Sequence, residues 1–120
     1  MTATATAGAR IVWRPWDAGA FSAARREQKP IILSIVTAWS HGCDEMDRTV
    51  YARPDIAALV SDRFIAIRVD ADRRPDIASR YTLGGWPTTA FLTSDGELLG
   101  GGTFVSAERL PAALHRVLGG

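Results

Sequence analysis

The chain has 120 residues, 47% of them apolar, and a formal net charge of +1 from 14 basic and 13 acidic side chains. This length predicts one domain, the composition excludes disorder, collagen and coiled coil, and the charge balance leaves no electrostatic footprint for nucleic acid or an anionic membrane. The single cysteine, Cys43, excludes an intramolecular disulfide and any redox cycle needing two thiols in one chain.

Residues 1–10 (MTATATAGAR) lack the apolar stretch of a secretory signal. No apolar run approaches the roughly 18 residues of a membrane helix. A flexible leader over 1–10, a domain over 11–120 and a cytoplasmic location are therefore expected. Ile11–Trp13 is β-branched and aromatic and predicts a brief strand. Asp17 predicts a helix N-cap, with Trp16 and Phe21 as a hydrophobic staple; the helix runs to about Gln28 and Pro30 stops it. Ile31–Val36 (IILSIV) is apolar on both faces, as in a strand covered on both sides. Thr37–Gly42 is a loop, and a helical pattern follows from Cys43 to about Val50. Pro54 opens another helix with Ile56, Leu59 and Val60 on one face.

Phe64–Val69 predicts a second buried strand. Asp70–Pro75 is a charged turn, and Asp72 or Asp76 is placed to cap a short helix through Tyr81. Leu83–Pro87 leads into a strand over Thr88–Thr93. Asp95-Gly96 marks a hairpin, Glu97–Leu99 returns as a strand, and Gly100–Gly102 predicts a bulge. Ser106 caps a last helical stretch to Leu118, with Pro111 placing its regular part near Leu110. The order β-α-β-α-β-α-β-β-α predicts an α/β fold: a mixed, mostly parallel sheet of about five strands with helices on both faces.

In such a sheet, ligands bind beyond the carboxyl ends of the strands. Trp39-Ser40-His41-Gly42-Cys43 and Gly85-Trp86-Pro87-Thr88 fall there. A WxxxC junction followed later by X-Pro-Thr at a strand start resembles the thioredoxin fold. More specifically, the chain is similar to the thioredoxin-like domain of the spermatogenesis-associated thioredoxin proteins and their bacterial relatives. Lys29-Pro30-Ile31, Cys43 to Asp47, Val69 to Ile77, Gly84 to Thr88, Phe91-Leu92-Thr93 and Gly101 to Phe104 carry the resemblance, which spans about Trp13 to Leu118.

The resemblance implies a Cys-X-X-Cys site at the start of the second helix. Its second cysteine falls on Cys43, and its nucleophile falls on Ser40. A serine hydroxyl is not an appreciable alkoxide at neutral pH without a base, and it forms no disulfide. The buried acid of many thioredoxins falls on Ser34, and the proline inside their motif falls on Gly42. Both departures point away from dithiol chemistry. The resemblance also implies a cis peptide bond at Pro87, beside the site. Trp39 and Trp86 then flank a groove suited to protein or peptide clients, with Ser40, His41, Pro87 and Thr88 beside them. Alternatively, Trp86 fills the core.

Cys43 has two readings: a reactive monothiol activated near a helix N-terminus, forming mixed disulfides with glutathione or a client, or a buried, inert small hydrophobe. A third possibility is a cysteine-to-serine variant, at position 40, of an active thiol-disulfide oxidoreductase. Ser40 and His41 are sequence neighbours that do not face each other on a helix start, which disfavours a Ser/His dyad. His41 and Cys43, even with Asp44 and Asp47, make a thin zinc set. Asp70, Asp72 and Asp76 are interleaved with Arg73 and Arg74 and suit turn chemistry better than a cation site. No cofactor and no metal are expected.

Overall fold

Asp17 starts the first helix. Its Oδ1 accepts the Ala20 N–H at 3.0 Å, satisfying one of the donors a helix start leaves free. The Trp16 and Phe21 rings meet edge to face with centroids 4.8 Å apart, as the staple requires. These residues open α1 (Ala18–Glu27) in a computed structural model that describes residues 10–119. The expected leader lies, except for Arg10, outside the described residues. The helix buries Ala20, Ala23 and Ala24, whose small side chains allow close approach to the sheet, and it ends where expected, with Glu27 its last residue and Gln28 its C-cap. Gln28 adopts the left-handed conformation (φ 57°) and its N–H returns to the last turn, so the backbone turns before proline can act.

β1 (Ile31–Val36) leads to α2 (His41–Met46), which begins two residues before Cys43 and continues as one π-helical turn, Asp47–Tyr51. α3 (Pro54–Arg63) has Pro54 in its first turn, where its missing N–H costs no hydrogen bond. β2 (Ile65–Asp70) and α4 (Pro75–Tyr81) follow. Neither Asp72 nor Asp76 caps α4: Arg74 occupies the cap position. Asp76 instead receives two hydrogen bonds from the Arg74 guanidinium, at 3.0 and 3.2 Å, because a charged fork outcompetes a backbone N–H.

β3 (Thr88–Leu92) and β4 (Leu98–Gly102) form the hairpin around Asp95-Gly96, with Gly96 at φ 88°. The pairing shifts between Phe91–Gly100 and Leu92–Leu98, so Leu99 is the extra residue of the bulge, one place before the expected glycines. α5 (Leu110–Gly119) starts where Pro111 suggested. Ser106 acts through its carbonyl, which accepts the Arg109 and Leu110 N–H groups at 3.1 and 2.9 Å.

The sheet order is β2-β1-β3-β4. It has four strands, not five, among the described residues. Ile11–Trp13 forms no strand. Arg14 alone forms an isolated parallel bridge to Ile67, its N–H donating to the Ala66 carbonyl at 2.8 Å and its carbonyl accepting the Arg68 N–H at 3.0 Å. The sheet is also less parallel than expected: β1 and β2 are parallel, whereas β3 is antiparallel to both β1 and β4. α2 and α3 make a full crossover between β1 and β2. α4 does not, since β2 ends and β3 begins at the same end of the sheet. That end is also where β1 finishes, and Ile35 pairs with Thr88 there. This places the Trp39–Cys43 and Gly85–Thr88 segments side by side.

The alternation of β1 separates two cores. Ile31, Leu33 and Ile35 face α1 and α4. Ile32 faces the π turn, α3 and α5, among Met46, Val50, Tyr51 and Leu114. Each fully buried Ile or Leu stabilises by roughly 1.5–3 kcal/mol. No helix among the described residues is long and apolar enough to cross a membrane.

Candidate functional site

Ser40 is the N-cap residue of α2, in extended conformation (φ −93°, ψ 121°), and its hydroxyl makes no capping hydrogen bond. Its N–H donates to the Thr37 carbonyl at 3.4 Å. One residue into the helix, Gly42 meets the second loop. A Cβ on Gly42 would lie 3.0 Å from the Trp86 carbonyl oxygen, 3.3 Å from Pro87 Cδ and 3.6 Å from Ser40 Oγ. Glycine therefore allows the helix start to close against the Trp86–Pro87 segment, whose peptide bond is cis.

The other expected site residues divide by exposure. Trp39 is 67% exposed and His41 is exposed beside it. Trp86 is half-buried and packs partly against the α1-side core, so part of its ring fills the interior, as the alternative reading expected. Pro87 and Thr88 are buried. The Thr88 hydroxyl donates to the Gly85 carbonyl at 2.8 Å, which pins the loop and directs the hydroxyl inward. Cys43 is a free cysteine, only 5% exposed. His115 is exposed on α5, away from these segments. Among the described residues no group of three or more His, Cys, Asp or Glu side chains is placed to hold a metal ion.

Beneath the site lies a set of polar groups that sequence reasoning largely missed. Ser34 is fully buried, and neither its Oγ nor the Tyr51 hydroxyl has a hydrogen-bond partner among the described residues. Burial pushes the Tyr51 hydroxyl up to about 12, against the opposing influence of Thr89, Arg68 and Ser34. The Thr89 hydroxyl donates to the Thr103 carbonyl at 3.0 Å. Arg68, across the sheet from Ser34, forks onto Asp47 at 2.6 and 3.1 Å and stacks 4.2 Å from the Trp13 ring centroid. One signal for this cluster was visible: an arginine inside the buried run FIAIRV requires a partner. A hydroxyl set thus occupies the level where the resemblance implied a carboxylate. It offers no strong base to Ser40.

The sequence from residue 4 to residue 118 matches the family described as "Protein of unknown function, DUF255" (Thioredox_DsbH). The chain belongs to this family. It is 35% identical over 106 residues to spermatogenesis-associated protein 20 of Homo sapiens and 36% identical over 102 residues to uncharacterized protein B0495.5 of Caenorhabditis elegans. Those matches cover 82% and 78% of this chain but only 14% of each relative, so this DUF255 chain spans about one seventh of their length. Among solved structures, it superposes on a thioredoxin from Thermus thermophilus with a TM-score of 0.78 at 21% identity, covering 90% of this chain and 87% of that one. It superposes on a DsbH oxidoreductase with a TM-score of 0.75 at 18% identity, covering 92% and 84%. The fold is thioredoxin-like.

Proposed function

We infer that this thioredoxin-like domain binds an extended segment of a client protein at the Trp39–Trp86 groove and does not cycle a disulfide of its own. The observation that carries the reading is the pairing of an intact site shape with Ser40 at the helix start and one buried cysteine behind it. Thiol–disulfide exchange needs a thiolate at the mouth of the site and a second thiol to resolve the mixed disulfide. Here the mouth holds a hydroxyl without a strong base. The exposed Trp39 indole, His41 and the outer face of Trp86 supply the aromatic and polar contacts that suit a peptide. Monothiol exchange between Cys43 and glutathione is the alternative, and the 5% exposure of Cys43 disfavours it, since the sulfur must reach its target.

Two measurements test this. In an insulin-reduction assay with dithiothreitol as the reductant, the native chain is expected to match the uncatalysed rate. Ser40→Cys is expected to raise it. Catalysis by the native chain would overturn the reading. In parallel, a fluorescently labelled, carboxymethylated insulin B chain should bind, and Trp39→Ala should weaken binding by about fivefold, close to 1 kcal/mol. Equal affinity of the variant would remove the groove from the proposal.

A further inference from the structure

The β4 side of the molecule carries a second surface. β4 is the last strand of the sheet, and no strand covers its outer edge among the described residues. Leu98 and Leu99 are 49% and 52% exposed, and Phe104 is 41% exposed. Gly100, Gly101 and Gly102 leave the backbone uncovered by side chains. An exposed strand edge is a template for another chain; this one lacks the lysines and prolines that commonly block pairing, and its bulge at Leu99 leaves Gly100–Gly102 as the segment open to a partner.

A groove of about 620 Å³ runs between this edge and α5. Phe91, Leu99, Phe104 and Val117 give it an apolar lining, and Arg109 and Arg116 stand along it. No aspartate or glutamate lines it, and neither arginine forms an ion pair among the described residues. The groove therefore presents apolar surface and uncompensated positive charge together.

We propose that the edge of β4 and this groove bind an extended acidic segment of a partner protein as an added strand. In an added strand, side chains two residues apart fall on one face. One apolar side chain enters the Phe91–Leu99–Phe104 end, and a carboxylate two residues on meets Arg109 and Arg116. Main-chain hydrogen bonds to β4 supply affinity, and the arginine pair selects the sign of charge. The surface does not depend on Ser40, Trp39 or His41.

A random library of twelve-residue peptides displayed on phage, selected on the folded chain, is the probe. Enriched peptides are expected to alternate apolar residues with aspartate or glutamate. They should perturb the backbone amide signals of residues 98–102 and slow their hydrogen exchange. The double variant R109Q/R116Q, shown folded by circular dichroism, should lose at least about fivefold in affinity, and Trp39→Ala should lose none. Enrichment without acidic residues, or full affinity in R109Q/R116Q, would overturn the proposal. So would amide shifts confined to the Trp39 and Trp86 segments, or self-association through β4 that excludes peptide.

Discussion

Tyr51 shows how a single residue couples the site to stability. Its ring packs edge to face on Trp13 at 5.0 Å, but its hydroxyl is buried without a partner among the described residues. Such a group costs about 1–3 kcal/mol, so Tyr51→Phe is expected to leave stability at pH 7 unchanged or to raise it, measured by urea unfolding. Its pH dependence has a definite sign. The folded value lies near 12 and the ordinary value is 10.0, so folding favours the protonated form. That contribution is complete below pH 10 and is lost as pH rises toward 12. Tyr51→Phe should therefore flatten the alkaline fall in stability, and an unchanged slope would show that the hydroxyl is not buried. Residue-level reading was strongest for the cis bond before Pro87 and the buried alternative for Cys43. It was weakest for Tyr51 and Thr89, which share a cluster with Ser34 only after the π turn and two strands come together.

At the level of elements, chemistry local in sequence was legible. Asp17 with its staple, the Pro54 helix start and the Asp95-Gly96 hairpin all arise from contacts within a few residues. The failures were competitions that local pattern does not score. Arg74 took the carboxylate that was to cap α4, and Ile11–Trp13 formed no strand. The β3–β4 pair makes a sharp demand of its own. A Cβ on Gly101 would lie 2.1 Å from the Thr89 carbonyl oxygen and 2.9 Å from Ala90 Cα, at φ +149°. Backbone atoms cannot retreat as a flexible side chain does. Gly101→Ala is expected to cost about 3 kcal/mol or more, combining overpacking with backbone strain. A Tm within a degree of the native chain would refute that contact. Gly100, whose added Cβ meets nothing within 4 Å, is the matched control.

The molecule as a whole decides what Cys43 can do. Cys43 is only 5% exposed, so reagent is expected to reach its sulfur mainly when the structure opens. Alkylation by iodoacetamide should be negligible in the native state and should rise with the unfolded fraction along a urea titration. Fast alkylation of the folded chain would revive the monothiol alternative. The order of strands and helices from Ala18 onward, the two-sided burial of β1, and the identity of residues 40 and 43 were determined by the sequence alone. They follow from hydrophobic period, turn chemistry and the presence or absence of a second cysteine. Tertiary structure alone decided that β3 runs antiparallel to β1, that Arg68 finds Asp47, and that Gly42 abuts the Trp86 carbonyl. These depend on which segments meet across long stretches of chain, and such pairings are selected by mutual burial and hydrogen bonding, not by any local pattern.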